Sequence, residues 1–158
     1  DVWNTMGGIV QASSTTFRNS GKAVAFFPYK NIQPNGMEMK NWSYFSNCEF
    51  IADDDFIGNA PVTQFTMYQV NGVLIQNCLF EDKRTNVTIQ DRLSGILTLD
   101  ASFRIVGTCP HTDICDLHYY DEVKLNKTLF KNLKVGVHAQ NAQTISQATI
   151  DRCHFENA

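Results

Sequence analysis

Charge is scarce in this chain. Only 18% of its 158 residues are Asp, Glu, Lys or Arg, and 13 basic residues against 16 acidic ones leave a formal net charge of -3. No basic field exists to hold a phosphate backbone, so no nucleic-acid partner is expected. Proline is sparse as well, at four residues, and neither a collagen repeat nor a heptad period occurs. The longest uncharged stretch, residues 56–80, has the length to cross a bilayer. It would carry Asn59, Gln64, Gln69, Asn71, Gln76 and Asn77 into hydrocarbon, however, so no membrane span is expected. The opening residues show neither a basic nor an apolar targeting segment, and any such signal is expected to lie outside this sequence. What the chain does have is 43% hydrophobic residues, including eleven Phe, enough for one sizeable core and a single domain over residues 1–158.

The phenylalanines are not scattered. Phe17, Phe50, Phe80, Phe103, Phe130 and Phe155 each follow a small residue by two places and lie 33, 30, 23, 27 and 25 residues apart. Seven and five residues before each Phe the chain is mostly apolar (Val10 and Ala12, Val73 and Ile75, Ile96 and Thr98), while the residue between is mixed. That is a period of two, the signature of strands. The polar pairs between strand and anchor, such as Ser13 with Ser14 and Gln76 with Asn77, tolerate turns. Two short strands joined by a tight corner and repeated without helical periodicity predict an all-β fold, a right-handed parallel β-helix of about six coils. Equivalent residues would stack from coil to coil, with the six Phe as an internal ladder and Asn19, Asn132 and Asn157 as an amide ladder at a corner. An antiparallel sandwich rich in Phe is the alternative, although its turns fall closer together.

The phrases Gly8-Ile9-Val10, Gly72-Val73-Leu74-Ile75-Gln76-Asn77-Cys78-Leu79-Phe80, Ser94-Gly95-Ile96-Leu97 and Gly136-Val137-His138-Ala139 resemble the pectate-lyase-like, right-handed parallel β-helix repeat family. More narrowly, they resemble Asn- and Phe-rich segments of secreted surface proteins of Bacteroidetes, many of them cargo of the type IX secretion system. The resemblance implies an extracellular or bacterial cell-surface location. It specifies fold better than function, since such coils occur in lyases, hydrolases, adhesins and phage tailspikes alike. The chain ends directly after an anchor Phe, without a polar capping unit, so it is expected to be a segment of a longer β-helix whose neighbours are adjacent coils.

Among the five cysteines, Cys48, Cys78 and Cys153 occupy the small position before the anchor and are expected to be core thiols. Cys109 and Cys115 lie outside the repeat, in a Pro-containing loop within an excursion at about 107–122, where a disulfide is expected. A zinc site made by Cys109, His111, Cys115 and His118 is the alternative, at a spacing unlike the usual one. Asp53, Asp54 and Asp55 form the acidic cluster of the chain, which is either a solvated turn or a place for calcium. Trp42, Tyr68, His118, Tyr119 and Tyr120 stand outside the anchor positions, and rings so placed suit stacking against sugars.

No catalytic group is identifiable. The polygalacturonase and pectate-lyase signatures have no counterparts in the sequence. The leading expectation is a non-catalytic stalk, adhesin or carbohydrate-contacting module that meets polysaccharide or cell-surface components. A fragment of a polysaccharide lyase or glycoside hydrolase is the alternative, and a trimeric tailspike segment a weaker one.

Overall fold

A computed structural model of the chain describes residues 9–58, 62–108, 126–142 and 146–157. The strands come in passes. The first pass contains β1 (Gln11–Ser13), β2 (Thr16–Arg18) and β3 (Val24–Phe26), followed by a small hairpin of β4 (Asn31–Ile32) and β5 (Glu38–Met39). The second contains β6 (Tyr44–Ser46), β7 (Glu49–Ala52) and β8 (Thr63–Tyr68). The third contains β9 (Asn71–Gln76), β10 (Leu79–Asp82) and β11 (Ser94–Leu99), with a single 3-10 turn at Ile89–Asp91 before β11. The fourth contains β12 (Ser102–Val106), β13 (Thr128–Lys131) and β14 (Val135–Gln140), and the last described strands are β15 (Ala148–Asp151) and β16 (Cys153–Glu156).

Each pass visits three sheets in the same order. Sheet A is β1-β6-β9-β12-β15, sheet B is β2-β7-β10-β13-β16, and sheet C is β3-β8-β11-β14. All pairings within these sheets are parallel. That overturns the antiparallel sandwich; among the described residues, antiparallel pairing is confined to β4 with β5 and to one bridge between Thr108 and Asn126.

Period-two alternation explains the core. In sheet B the register joins Phe17, Phe50, Phe80, Phe130 and Phe155, whose rings stack in parallel with centroids 4.8, 4.5, 5.1 and 4.7 Å apart. Ala12, Phe45, Ile75, Ile105 and Ile150 form the matching inward row of sheet A, and Phe26, Met67 and Thr98 belong to one row of sheet C. Gly95 in β11 permits a close approach of neighbouring strands: a Cβ there would lie 2.6 Å from the Gly136 carbonyl oxygen of the next strand.

The corners use the left-handed region, which, among residues with a side chain, Asn enters most readily. Ser14, Asn47, Asn77 and Arg152 turn the chain from sheet A to sheet B with φ between 50 and 53°, and Asn19, Asn132 and Asn157 follow sheet B at 52°. The amide ladder expected after the anchors is present between Asn132 and Asn157, whose Nδ2 donates to Asn132 Oδ1 at 3.1 Å. Asp82 departs from it. Fully buried, it accepts from Arg84 Nε and Nη2 at 2.9 and 2.7 Å and from Leu93 N at 2.8 Å, tying down the long connection from β10 to β11.

One anchor was misplaced by the sequence pattern. Phe103 does not join the ladder; it lies in β12 of sheet A, in register with Val73 and Ala148. The unit read before it, residues 94–99, is β11 of sheet C. Strands of all three sheets alternate in the same way, so periodicity alone does not reveal to which wall a strand belongs. Among the described residues, sheets A and B consequently hold five strands each and sheet C four.

Candidate binding groove on sheet A

The outward positions of sheet A form a row of different chemistry. Gln11, Tyr44, Leu74, Arg104 and Thr149 are joined by register across the five strands. Beside this row lies a groove of about 460 Å³ whose lining includes Lys40, Trp42, Tyr44, Asn71, Arg104 and Gln147. Its size falls in the range of small-molecule sites, roughly 300–1,000 Å³.

Local backbone choices build its rim. Asn41 is buried, with its N–H donating to the Asn71 carbonyl at 2.6 Å and its Oδ1 accepting from Ser43 N at 3.1 Å. Ser43 Oγ accepts in turn from Val10 N at 3.0 Å. Pinned on both sides, Trp42 adopts φ 61° and stands 58% exposed. Opposite, the ladder between β9 and β12 shifts register between Ser102 and Phe103, so that Gly72 is the extra residue, at φ 95°. A Cβ on Gly72 would meet Lys40 Cβ at 2.6 Å; glycine therefore lets Lys40 pass close to β9 as part of the groove lining.

The groove thus combines the rings of Trp42 and Tyr44, the cations Lys40 and Arg104, the amides of Asn71 and Gln147 and the hydroxyl of Thr149. Rings offer flat apolar faces to the C–H faces of sugars, while amides and guanidinium donate to hydroxyl or carboxylate oxygens. No carboxylate is among its described lining residues.

Of the residues singled out in the sequence, Trp42 lies in this groove and Tyr68 does not. Tyr68 ends β8 in sheet C, where its ring stacks on Phe27 with centroids 6.3 Å apart. His118, Tyr119, Tyr120, Cys109 and Cys115 lie outside the described residues. Thr108 and Asn126 bridge to one another with N–H to carbonyl distances of 2.8 and 3.0 Å, and the Asn77 side chain clasps Thr108 at 2.7 and 2.9 Å. The excursion expected at about 107–122 lies outside the described residues from 109 onward. Lys40, Asn71, Arg104 and Gln147 were not legible as site residues. Arg104 emerges only when Ile105, rather than Thr98, is aligned with Ile75.

The acidic cluster faces elsewhere. Asp53 follows sheet B and accepts from Asn19 Nδ2 at 2.7 Å, Asp55 N at 3.1 Å and the Arg18 guanidinium. The Asn19 hydrogen bond, helped by those from Asp55 N and Arg18, holds the Asp53 carboxyl below its ordinary range. Asp54 accepts from Thr85 N at 2.8 Å and from Thr85 Oγ1. The two neighbours thus reach in opposite directions, Asp53 to the preceding pass and Asp54 to the following one, and act as a clamp between passes. No cluster of three or more metal-ligating side chains occurs among the described residues.

Cys48, Cys78 and Cys153 are free thiols. Burial pushes the Cys78 thiol up to about 12 and Cys153 up to about 11. Thiols so hard to ionise are poor nucleophiles, in keeping with their place as small wall residues. No helix among the described residues is long and apolar enough to cross a membrane. Compared with protein-family models, curated proteins and solved structures, the chain matches none.

Proposed function

We propose that the chain is a parallel β-helix module of a secreted or cell-surface bacterial protein and that it contacts carbohydrate, without cleaving it, through the groove on sheet A. The recurrent visit to three parallel sheets supports the coiled reading, and the stacked Phe ladder gives it a rigid axis. The observation that carries the functional reading is the groove: Trp42 held outward in a left-handed backbone beside Tyr44, with Arg104, Asn71 and Gln147 within the same lining. A glycosidase needs a pair of carboxylates across the bond to be cut. Among the described lining residues, rings, amides and cations stand without such a pair, an arrangement that suits binding.

The test is calorimetric titration of the chain with a panel of soluble oligosaccharides, neutral and uronic-acid-containing. Saturable binding that Trp42→Ala weakens by about tenfold or more, equivalent to roughly 1.4 kcal/mol of lost stacking, is expected. Binding unaffected by Trp42→Ala and Arg104→Ala, or no binding to any member of the panel, would remove the groove from consideration. Release of reducing or unsaturated ends during the titration would move the assignment to the lyase or hydrolase reading.

A further inference from the structure

The groove on sheet A has two unlike ends. One outward row crosses it with Tyr44 of β6, Leu74 of β9, Arg104 of β12 and Thr149 of β15 in register. Trp42, two residues before Tyr44, shares the lining with Gly72, two residues before Leu74. Both rings therefore belong to the second pass and Arg104 to the fourth, with only Gly72 and Leu74 of the third between them. Neighbouring strands lie about 4.8 Å apart, so the backbones carrying the rings and the guanidinium are separated by about 9–10 Å. Gly72 places no side chain across that interval.

Arg104 stands apart from the other arginines. The chain has five, and four of them meet a carboxylate: Arg18 meets Asp53, Arg84 and Arg92 meet Asp82, and Arg152 meets Asp151. Arg104 is exposed, and among the described residues it has neither an ion pair nor a hydrogen bond to its guanidinium. Its neighbours in register, Leu74 and Thr149, are uncharged. Asp151, on the adjoining strand opposite Val106, has its carboxylate 3.9 Å from Arg152 Nε. An open guanidinium offers parallel N–H donors to two oxygens of one anionic group, and such charge-assisted pairs are about twice as strong as neutral ones.

We propose that the groove selects acidic saccharides of at least two units, with Trp42 and Tyr44 stacking on one unit while Arg104 binds the carboxylate or sulfate ester of a neighbouring unit. This rests on the carbohydrate-contacting reading above and adds the charge of the ligand, its minimum length and the residue that reads the charge. The separation of two strands exceeds one sugar ring and is spanned by two. A neutral saccharide still stacks on the rings but leaves the guanidinium to water, so Arg104 sets specificity and the rings set base affinity. Because Arg104 is exposed, its contribution is screened by salt, whereas stacking is not.

Calorimetric titration of the whole chain with matched disaccharides of glucose, galactose and mannose tests it, each supplied neutral, carboxylated at C6 and sulfated at C6. In at least one set the acidic forms should bind about tenfold more tightly than the neutral one at low salt, and the gap should shrink as ionic strength rises. The carboxylated and sulfated arms identify the anion. Arg104→Gln, with folding verified by circular dichroism, should bring the acidic forms down to the affinity of the neutral one. The corresponding acidic monosaccharides should bind about tenfold more weakly than the disaccharides. Equal affinity for neutral and acidic forms, with binding still lost in Trp42→Ala, would overturn the selection of acids and leave the carbohydrate reading standing. A preference that survives Arg104→Gln, or acidic monosaccharides that bind as tightly as disaccharides, would also overturn the proposal. No binding by any set would overturn both.

Discussion

Replacing Asp82 with Asn should be among the most damaging conservative changes in this protein. Asp82 is fully buried and accepts four hydrogen bonds: from Arg84 Nε at 2.9 Å, Arg84 Nη2 at 2.7 Å, Arg84 N at 3.1 Å and Leu93 N at 2.8 Å. Arg84 is itself only 8% exposed. Asn keeps the shape but offers one acceptor and no charge, which leaves the guanidinium with the Asp91 carbonyl as its hydrogen-bond acceptor within the connection. Removing one member of a buried pair costs about 3–5 kcal/mol. At about 2–4 °C per kcal/mol for a chain of this size, Tm should fall by roughly 6–20 °C. Acid should reproduce the effect. Burial alone would raise the Asp82 carboxyl, but the hydrogen bonds from Arg84 and from Leu93 N outweigh it and hold the carboxyl below its ordinary value. A folded value below the unfolded one gives stability that is fully present above the unfolded carboxylate value of about 4 and is lost as pH falls through the folded value. Urea unfolding followed by circular dichroism should therefore show a constant gap between wild type and Asp82→Asn from pH 8 to 5, closing only in stronger acid. A loss under about 1 kcal/mol at neutral pH, or a gap that narrows well above pH 5, would refute the reasoning. Removing both charges with Asp82→Leu and Arg84→Met should cost less than Asp82→Asn alone, since no buried charge is then stranded.

The ring ladder should be uneven in its energetics: Phe80→Ala, at a rung with 0% exposure, should cost about 3–5 kcal/mol in urea unfolding, and Phe155→Ala, at 46% exposure, about half that or less in dilute solution. Equal losses at the two positions would refute burial as what sets the cost of losing a ring. The wall thiols should be inert, so site-resolved mass spectrometry after iodoacetamide treatment of the folded protein at mildly alkaline pH should find Cys78 unmodified and Cys153, half-buried and nearer to ionisation, modified before it. Equal modification of both would show that sheet B opens between passes.

The parallel architecture was legible because strand alternation and the spacing of Phe17, Phe50, Phe80, Phe130 and Phe155 are local facts that stacking simply repeats. Phe103 broke the pattern because Ala101-Ser102-Phe103 has the small-x-Phe form by itself, while the long segments after Phe80 and before Phe130 stretch the true interval to 50 residues. The groove was legible in one residue. Trp42 was conspicuous as a ring off the ladder; Arg104 and Asn71 are ordinary polar residues until register sets their strands side by side. Tyr68 was as conspicuous as Trp42 and yet stands on another sheet, because exposure is readable from pattern whereas proximity is not.

Composition and periodicity by themselves determined that this chain is a β protein with small residues and stacked rings inside, turned by Asn-rich corners. Those properties depend on what each residue does within two or three neighbours, on alternation and on left-handed φ. Tertiary structure alone decided that Asp53 and Asp54 clamp the passes on either side of them, that Asp82 leaves the Asn ladder to hold Arg84, and that Gly72 makes room for Lys40 at the rim of the groove. Each of those contacts joins segments whose adjacency is set by the length of the intervening connection. Each doubling of loop length adds only about 0.6 kcal/mol of closure cost, so length leaves little trace in the local pattern.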